Sequence, residues 1–353
     1  MIHRRSFLAT AAGATAMSFL PLSLAAQRLE KFDLARLKAG YLRRLAAIKK
    51  VGELPVLDIE SSYNPLNIDL PAFVKAMDRS AIAQMALSVD QPGKLVTQGE
   101  TWSHHAFELI RAYPEYFIPA GNGGNHPAWT RNPDKFLDDN EKFVAEHGYP
   151  LMGEFEFRHY PSPRQIERGD LHRDVDIPID GPHGHRLFAF AEKTGVPFQI
   201  HYEIEDGLLA PLEAMLVRYP RAKVIWCHFA QIRYSARSSR YGAAYLRGLF
   251  AKHPNLYVDT AFGGPGSIYK PSGERHARAW DNSGGLKAEW KDLIVEMPYR
   301  FLTALDIGGD RMNRVDDWNR TLRDFLARIP GRTREIVAYG ASWKLLFGEE
   351  IVG

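Results

Sequence analysis

From residue 54 onward, short apolar runs alternate with longer stretches of helical periodicity. The apolar runs fall at 54–59, 82–88, 116–121, 151–157, 196–201, 223–228, 255–260 and 301–306. Each is near-continuously hydrophobic, as expected of parallel strands covered on both faces. Between them, apolar residues recur at helical spacing over 71–80, 102–113, 133–147, 184–193, 209–219, 242–253 and 286–297, and again over 315–329. Ahead of the first strand, Leu34, Leu37, Tyr41, Leu45 and Ile48 mark an amphipathic helix that packs outside the main domain.

Eight strands, each followed by a helix, predict a single-domain α/β protein, a (β/α)8 TIM barrel spanning 54–353. Residues 27–53 form its N-terminal helix and linker. The competing architecture is a doubly wound open sheet. No Gly-rich phosphate loop follows the first strand, which weighs against a dinucleotide-binding form of it. The loops 90–100, 161–182 and 263–285 are long and rich in Gly, Pro and charge, and in a barrel they rise over the face where the strands end.

The first 26 residues stand apart. Arg4 and Arg5 precede an alanine-rich apolar stretch, with small residues near Ala25 and Ala26. This resembles a twin-arginine export signal and predicts a periplasmic or secreted protein. Gly13, Thr15 and Ser18 make the segment a poor spanning helix, so no stable membrane association is expected after its removal. Its loss takes two arginines and no acid from the chain's +3, leaving +1. That balance predicts neither nucleic acid nor an anionic membrane as partner. A small-molecule substrate and a homodimer are the expected partners. The only cysteine, Cys227, lies in a strand and excludes an intrachain disulfide.

In a barrel the reactive groups sit at the carboxyl ends of strands. Strand one ends in Glu60 and Ser62, within "LPVLDIESSYNP". Strand four carries Glu154, Glu156 and Arg158 in alternation. Strand five ends at His201, strand six at His228 and strand eight at Asp306. Glu154 and Glu156, two residues apart on an inward strand, are costly without a cation. Arg158, Arg233, Arg237 and Arg240 suit a carboxylate or phosphate on the substrate. Tyr63, Tyr202, Trp226 and Phe262 flank the same strand ends and suit a pocket wall, although ordinary barrel packing uses such residues too. His104, His105, His126, His159, His172, His183 and His185 show no metal-ligand spacing and read as surface residues.

In order and spacing, "LDIES", "GEFEF", the lone histidines His201 and His228, "YRFLTALDIGG" and "ASWKLLFG" resemble the amidohydrolase superfamily, in its branch of small hydrolases, lactonases and decarboxylases. The resemblance implies a divalent metal (Zn, Mn or Fe) held by His201, His228 and Asp306, with Glu154 as a bridging carboxylate. It also implies two histidines on strand one, where Glu60 and Ser62 stand. Glu60 is then a substitute ligand, and Ser62 is not one. The expected enzyme is a hydrolase of a small anionic lactone, ester or amide that uses metal-activated water, with Asp306 accepting a proton; decarboxylation stays open. Two alternatives remain: a metal-independent lactonase with Asp306 as direct base and His201 or His228 polarising the carbonyl, and a non-catalytic ligand-binding barrel.

Overall fold

The structure, a computed structural model, describes residues 31–66, 68–89, 101–124 and 127–352. The segment 1–26, the loop 90–100 and His126 lie outside the described residues. The barrel strands are β1 (Val56–Tyr63), β2 (Ile82–Val89), β3 (Phe117–Ala120), β4 (Met152–His159), β5 (Phe198–Tyr202), β6 (Val224–Trp226), β7 (Leu256–Asp259) and β8 (Phe301–Leu302). Their ladders are parallel and form two arcs, β1 to β3 and β4 to β8.

Two seams close the arcs into a ring. Between β3 and β4, bridges pair Gly121 with Met152 and Gly124 with Phe155. Between β1 and the chain after β8, Ser61 pairs with Ile307. There Ile59 N–H donates to the Thr303 carbonyl at 2.9 Å, and Asp306 N–H donates to the Glu60 carbonyl at 2.9 Å. The result is a closed (β/α)8 barrel rather than an open sheet. The first seam requires glycine, since a Cβ on Gly153 would lie 2.8 Å from the Gly121 carbonyl oxygen.

Burial explains the sequence pattern. Val56, Leu57, Ile59, Ile82, Met85, Phe155, Ile200, Val224, Ile225 and Val258 are all fully buried, because helices cover the outside of strands whose inside fills the barrel. Each such side chain contributes about 1.5–3 kcal/mol of transfer free energy. Helix α1 (Leu34–Lys50) starts at Asp33, whose carboxylate accepts from Arg36 N–H at 3.0 Å. It buries Leu37, Tyr41 and Leu45. The Tyr41 hydroxyl donates to the Phe117 carbonyl at 2.6 Å, and Arg44 donates to the carbonyls of Ala83 and Ile82. These bonds dock α1 beside the first residues of β2 and β3, away from the strand ends that carry the site.

The long loops after β4 and β7 meet over the strand-end face. The first contains the helix Pro163–Glu167, the turn Leu171–Arg173 and the two-residue strand Val175–Asp176, which pairs antiparallel with the end of β4. The second folds into a hairpin of Ile268–Tyr269 against Glu274–Arg275. The Tyr269 hydroxyl donates to the Pro161 carbonyl at 2.8 Å, tying hairpin to loop. No helix among the described residues is long and apolar enough to cross a membrane.

Candidate active site

The carboxyl ends of β1, β4, β5, β6 and β7 bring one polar cluster together inside an apolar barrel. Glu154 Oε1 lies 2.8 Å from His201 Nδ1 and 3.2 Å from His228 Nε2. Those two nitrogens are 3.2 Å apart. His228 Nδ1 sits 2.6 Å from the Ala261 carbonyl oxygen. A carbonyl only accepts, so Nδ1 carries a proton and Nε2 is the atom turned to the cluster. His201 Nε2 lies 3.4 Å from Glu203 Oε1, which leaves its Nδ1 for the cluster. Glu203 in turn lies 3.1 Å from Arg233 Nε, and both side chains are about 5% exposed or less.

Glu60 reaches in from β1, with Oε1 3.8 Å from His228 Nε2. Both its carboxylate oxygens are buried and have no hydrogen-bond partner. Asp259, at the end of β7, accepts the N–H groups of His228 at 2.9 Å and Ala261 at 3.0 Å through Oδ1. Its Oδ2 is buried and unpartnered. His228 holds a left-handed φ of 61° and Asp306 one of 46°, uncommon for residues other than glycine.

The electrostatics follow from burial and crowding. Burial, then the nearby carboxylates of Asp259, Glu154 and Asp306, push the Glu60 carboxyl well above its ordinary range. Burial alone would do the same to Glu154, but the imidazoles of His201 and His228 outweigh it and hold that carboxyl well below. For His228 burial opposes the charge, yet bonding to Glu154 and the charges of Glu154, Asp259 and Asp306 push it up to about 9. His201 is likewise raised, because Glu154 outweighs burial.

These residues fit a divalent cation. Orphaned buried oxygens such as those of Glu60 and Asp259 are costly without one. A tetrahedral ion with bonds of about 2.0–2.1 Å separates its ligand atoms by roughly 3.3 Å. The spacings of 2.8, 3.2 and 3.2 Å among Glu154, His201 and His228 are close to that. Each imidazole also has its other nitrogen anchored, on Ala261 or Glu203, as metal-bound histidines do.

Other expected residues lie elsewhere. Asp306 is not among the ligand-spaced groups found within the described residues. Its carboxylate pairs with Arg311 at 3.3 and 3.4 Å, with 41% of the side chain exposed. Arg158 pairs with Asp174 at 2.6 Å and stacks on Tyr160, away from the cluster. Arg237 is half-exposed and bound to the Tyr160 hydroxyl and Glu205. Glu156 is buried, pairs with Arg173, and is pushed by burial up to about 7. Tyr63 is buried, and burial and then the Glu108 carboxylate push its hydroxyl above the ordinary range. Arg233, expected in a basic loop at the mouth, is buried against Glu203 and the Tyr160 carbonyl.

Strand parity explains several differences. Strict alternation places Asp58, Glu60 and Ser62 on one face, but the pairing of β1 is irregular between Asp58 and Ser61. Asp58 there accepts from Ser61 Oγ at 2.6 Å and from the N–H groups of Glu60 and Leu305, a tie between β1 and the end of β8. The pairing of β4 is irregular twice, between Met152 and Phe155 and between Glu156 and Arg158. His159, expected at the surface, is buried with its ring centroid 4.3 Å from that of His201. His105 is buried as well, rather than exposed. The sequence reading missed Glu203 and Asp259. Glu203 was findable, since it follows His201 by two residues and a strand has that period.

A closed barrel whose strand ends gather two anchored imidazoles and buried carboxylates defines a (β/α)8 protein with a cluster that could hold a metal ion. The amidohydrolase family model matches residues 78–296, well over half the chain. The protein belongs to the amidohydrolase family, whose members are generally metal-dependent, and is an enzyme. Glu154, His201, His228 and Asp259 fall inside the match, while Glu60 and Asp306 fall outside it. No curated protein matches the chain. Among solved structures, the uncharacterized TIM-barrel protein Bb4693 of Bordetella bronchiseptica is 15% identical, with 83% of this chain and 98% of that one covered and a TM-score of 0.52. A Staphylococcus aureus protein provisionally assigned as an amidohydrolase is 13% identical, with 83% and 99% covered and a TM-score of 0.50. The 2,6-dihydroxybenzoate decarboxylase from Rhizobium is 14% identical, with 83% and 98% covered and a TM-score of 0.48. At such identities the likeness to the first two establishes the barrel fold.

Proposed function

We propose that the protein is an exported, metal-dependent hydrolase of a small anionic carbonyl compound: a lactone, ester or amide. The observation that carries this is Glu60, whose two buried, unpartnered oxygens face the Glu154–His201–His228 cluster. Glu60, Glu154, His201 and His228 would hold a zinc, manganese or iron ion. Bound there, the ion would polarise a carbonyl and lower the pKa of its water.

The chain's own residues supply the rest. Asp306 is the proton acceptor in this reading. It is 41% exposed, against 22% for Glu154 and 5% for Glu60, so it can pass a proton to solvent. Arg311 holds its carboxylate in place, and the fork of Arg311 also offers an anionic substrate a contact at the mouth. Arg233 and Arg173 add positive charge from the loop side, balanced by Glu203 and Glu156. Export rests on the Arg4–Arg5 segment. Pairing into a homodimer belongs to the same proposal.

One observation favours a second reading. The Glu154 carboxylate with one protonated imidazole is already a balanced buried ion pair. In that form His201 or His228 would polarise the carbonyl and Asp306 would activate water directly.

The experiment is metal analysis of protein purified through its own export route, with turnover measured on a panel of lactones, esters, amides and aromatic carboxylates. About one metal ion per chain is expected, and Glu60→Gln should lower metal content and turnover together. Full turnover in strong chelator with no metal detected would replace this mechanism with direct Asp306 catalysis. Release of carbon dioxide in place of hydrolysis products would overturn the assigned reaction.

A further inference from the structure

The cluster has a second, more acidic wall on β7. Glu60, His228 and Asp259 offer one ligand atom each within 4.8 Å of one another, and all three side chains are buried. Together Glu60 and Asp259 bring three buried carboxylate oxygens that have no partner beyond each other and the Cys227 thiol. Asp259 cannot simply turn away. Its Oδ1 is fixed by the N–H groups of His228 and Ala261, at 2.9 and 3.0 Å, so its Oδ2 stays beside Glu60. The neighbouring thiol, Cys227, is a weak partner for so much carboxylate. Asp306 is meanwhile engaged by Arg311 at 3.3 Å.

The geometry points to Asp259 as an oxygen donor to the bound ion, so that β7 supplies the carboxylate which the family resemblance placed on strand eight. This rests on the metal reading above. It adds that the coordination is oxygen-rich, with Glu60, Glu154 and Asp259 set against two imidazoles. Oxygen donors suit harder ions such as Mn²⁺, whereas nitrogen donors suit zinc. Asp259 therefore shifts the balance between Mn²⁺ and Zn²⁺ towards manganese.

The test compares Mn²⁺ and Zn²⁺ binding to metal-free full-length protein, by calorimetry and competition with a chelating dye. Wild type, Asp259→Asn and Asp306→Asn are measured. Asparagine keeps an oxygen to accept the His228 and Ala261 N–H groups, and circular dichroism checks the fold. Asp259→Asn is expected to weaken Mn²⁺ at least tenfold and Zn²⁺ distinctly less, while Asp306→Asn changes either by under threefold. Should Asp259→Asn fail to fold, Asp259→Ser is read the same way, because its hydroxyl can accept from the backbone. Equal weakening of both ions would show that Asp259 acts only by holding His228, and would overturn the inference. So would unchanged Mn²⁺ binding in a variant of a wild type that does bind it. A wild type that takes up neither ion defeats the metal reading itself, and this inference with it.

Discussion

Glu203→Gln tests whether the site depends on the buried charges behind it. Glu203 lies 3.1 Å from Arg233 Nε and 3.4 Å from His201 Nε2, and both it and Arg233 are about 5% exposed or less. Burial would raise its carboxyl, but Arg233 and then His201 outweigh burial and hold it below its ordinary 4.5. The pair's contribution is thus present above about pH 4.5 and lost as pH falls further. Removing the charge leaves the Arg233 guanidinium uncompensated in the interior, which costs about 3–5 kcal/mol. A glutamine oxygen can still accept from Arg233, so the loss should fall near the lower end. The assay is urea denaturation at pH 7 in chelator, where no ion complicates the baseline. Glu203→Gln with Arg233→Met should recover most of the loss, because the pair is removed whole. In metal-binding assays the single variant should also weaken affinity roughly 10–100-fold, since His201 loses its anchor. A loss below about 1 kcal/mol, or a double variant no better than the single, would refute the view that these charges are energetically coupled.

Two further outcomes check other parts of the molecule. His276, in the loop after β7, is lowered from 6.5 to about 4 by burial and then by Arg233 and His228. The folded state therefore binds fewer protons than the unfolded one across that interval. Stability should be full above about pH 6.5 and fall by roughly 1–3 kcal/mol as pH drops to about 4. In denaturation curves at several pH values, His276→Gln should flatten that slope, and an unchanged slope would assign it to other groups. Replacing Arg4 and Arg5 by lysine should leave the precursor in the cytoplasm, because recognition of the pair uses guanidinium geometry. Fractionation of cells that shows normal export would remove the signal assignment.

The barrel was legible because its strands are buried on both faces and its helices on one, two patterns that differ along the chain. All eight strands lie within their expected ranges or within a few residues of them, although β8 is only Phe301–Leu302. Part of the site was legible from which strand carries each residue: Glu60, Glu154, His201 and His228 do converge, although Glu60 and Glu154 both lie at irregular pairings. Side-chain direction past such a slip was not legible. The irregularity before Arg158 takes that side chain to Asp174 and leaves His159 beside His201, which no period-two count could show. Nor does sequence reveal which charges neutralise which. Arg311 follows Asp306 by five residues yet claims its carboxylate, and Arg233 crosses from its loop to Glu203.

The replacement of an expected first-strand histidine by Glu60 is coherent once the backbone is considered with the side chain. Glu60 N–H donates to Asp58, and Asp58 also takes the Leu305 N–H. The Glu60 carbonyl accepts the N–H of Asp306, a residue held at a φ of 46°. Such a conformation costs on the order of 1–3 kcal/mol and persists only where neighbours enforce it. His228, at 61°, is enforced in the same way through its N–H bond to Asp259. Asp306 and His228 are therefore each tied to a carboxylate residue that has an unpartnered buried oxygen. Glu60 holds Asp306 by its backbone and faces the cluster with its side chain, while Asp259 holds His228 with one oxygen and leaves the other free. An arrangement that fixes two strained residues around crowded carboxylates is stable only if a cation or a proton sits between them. The two imidazoles can supply the positive charge by taking up protons, or a cation can displace those protons and bind. Proton release on adding Mn²⁺ or Zn²⁺, measured in weakly buffered solution, separates these states: displacement releases protons, and binding elsewhere on the surface releases none.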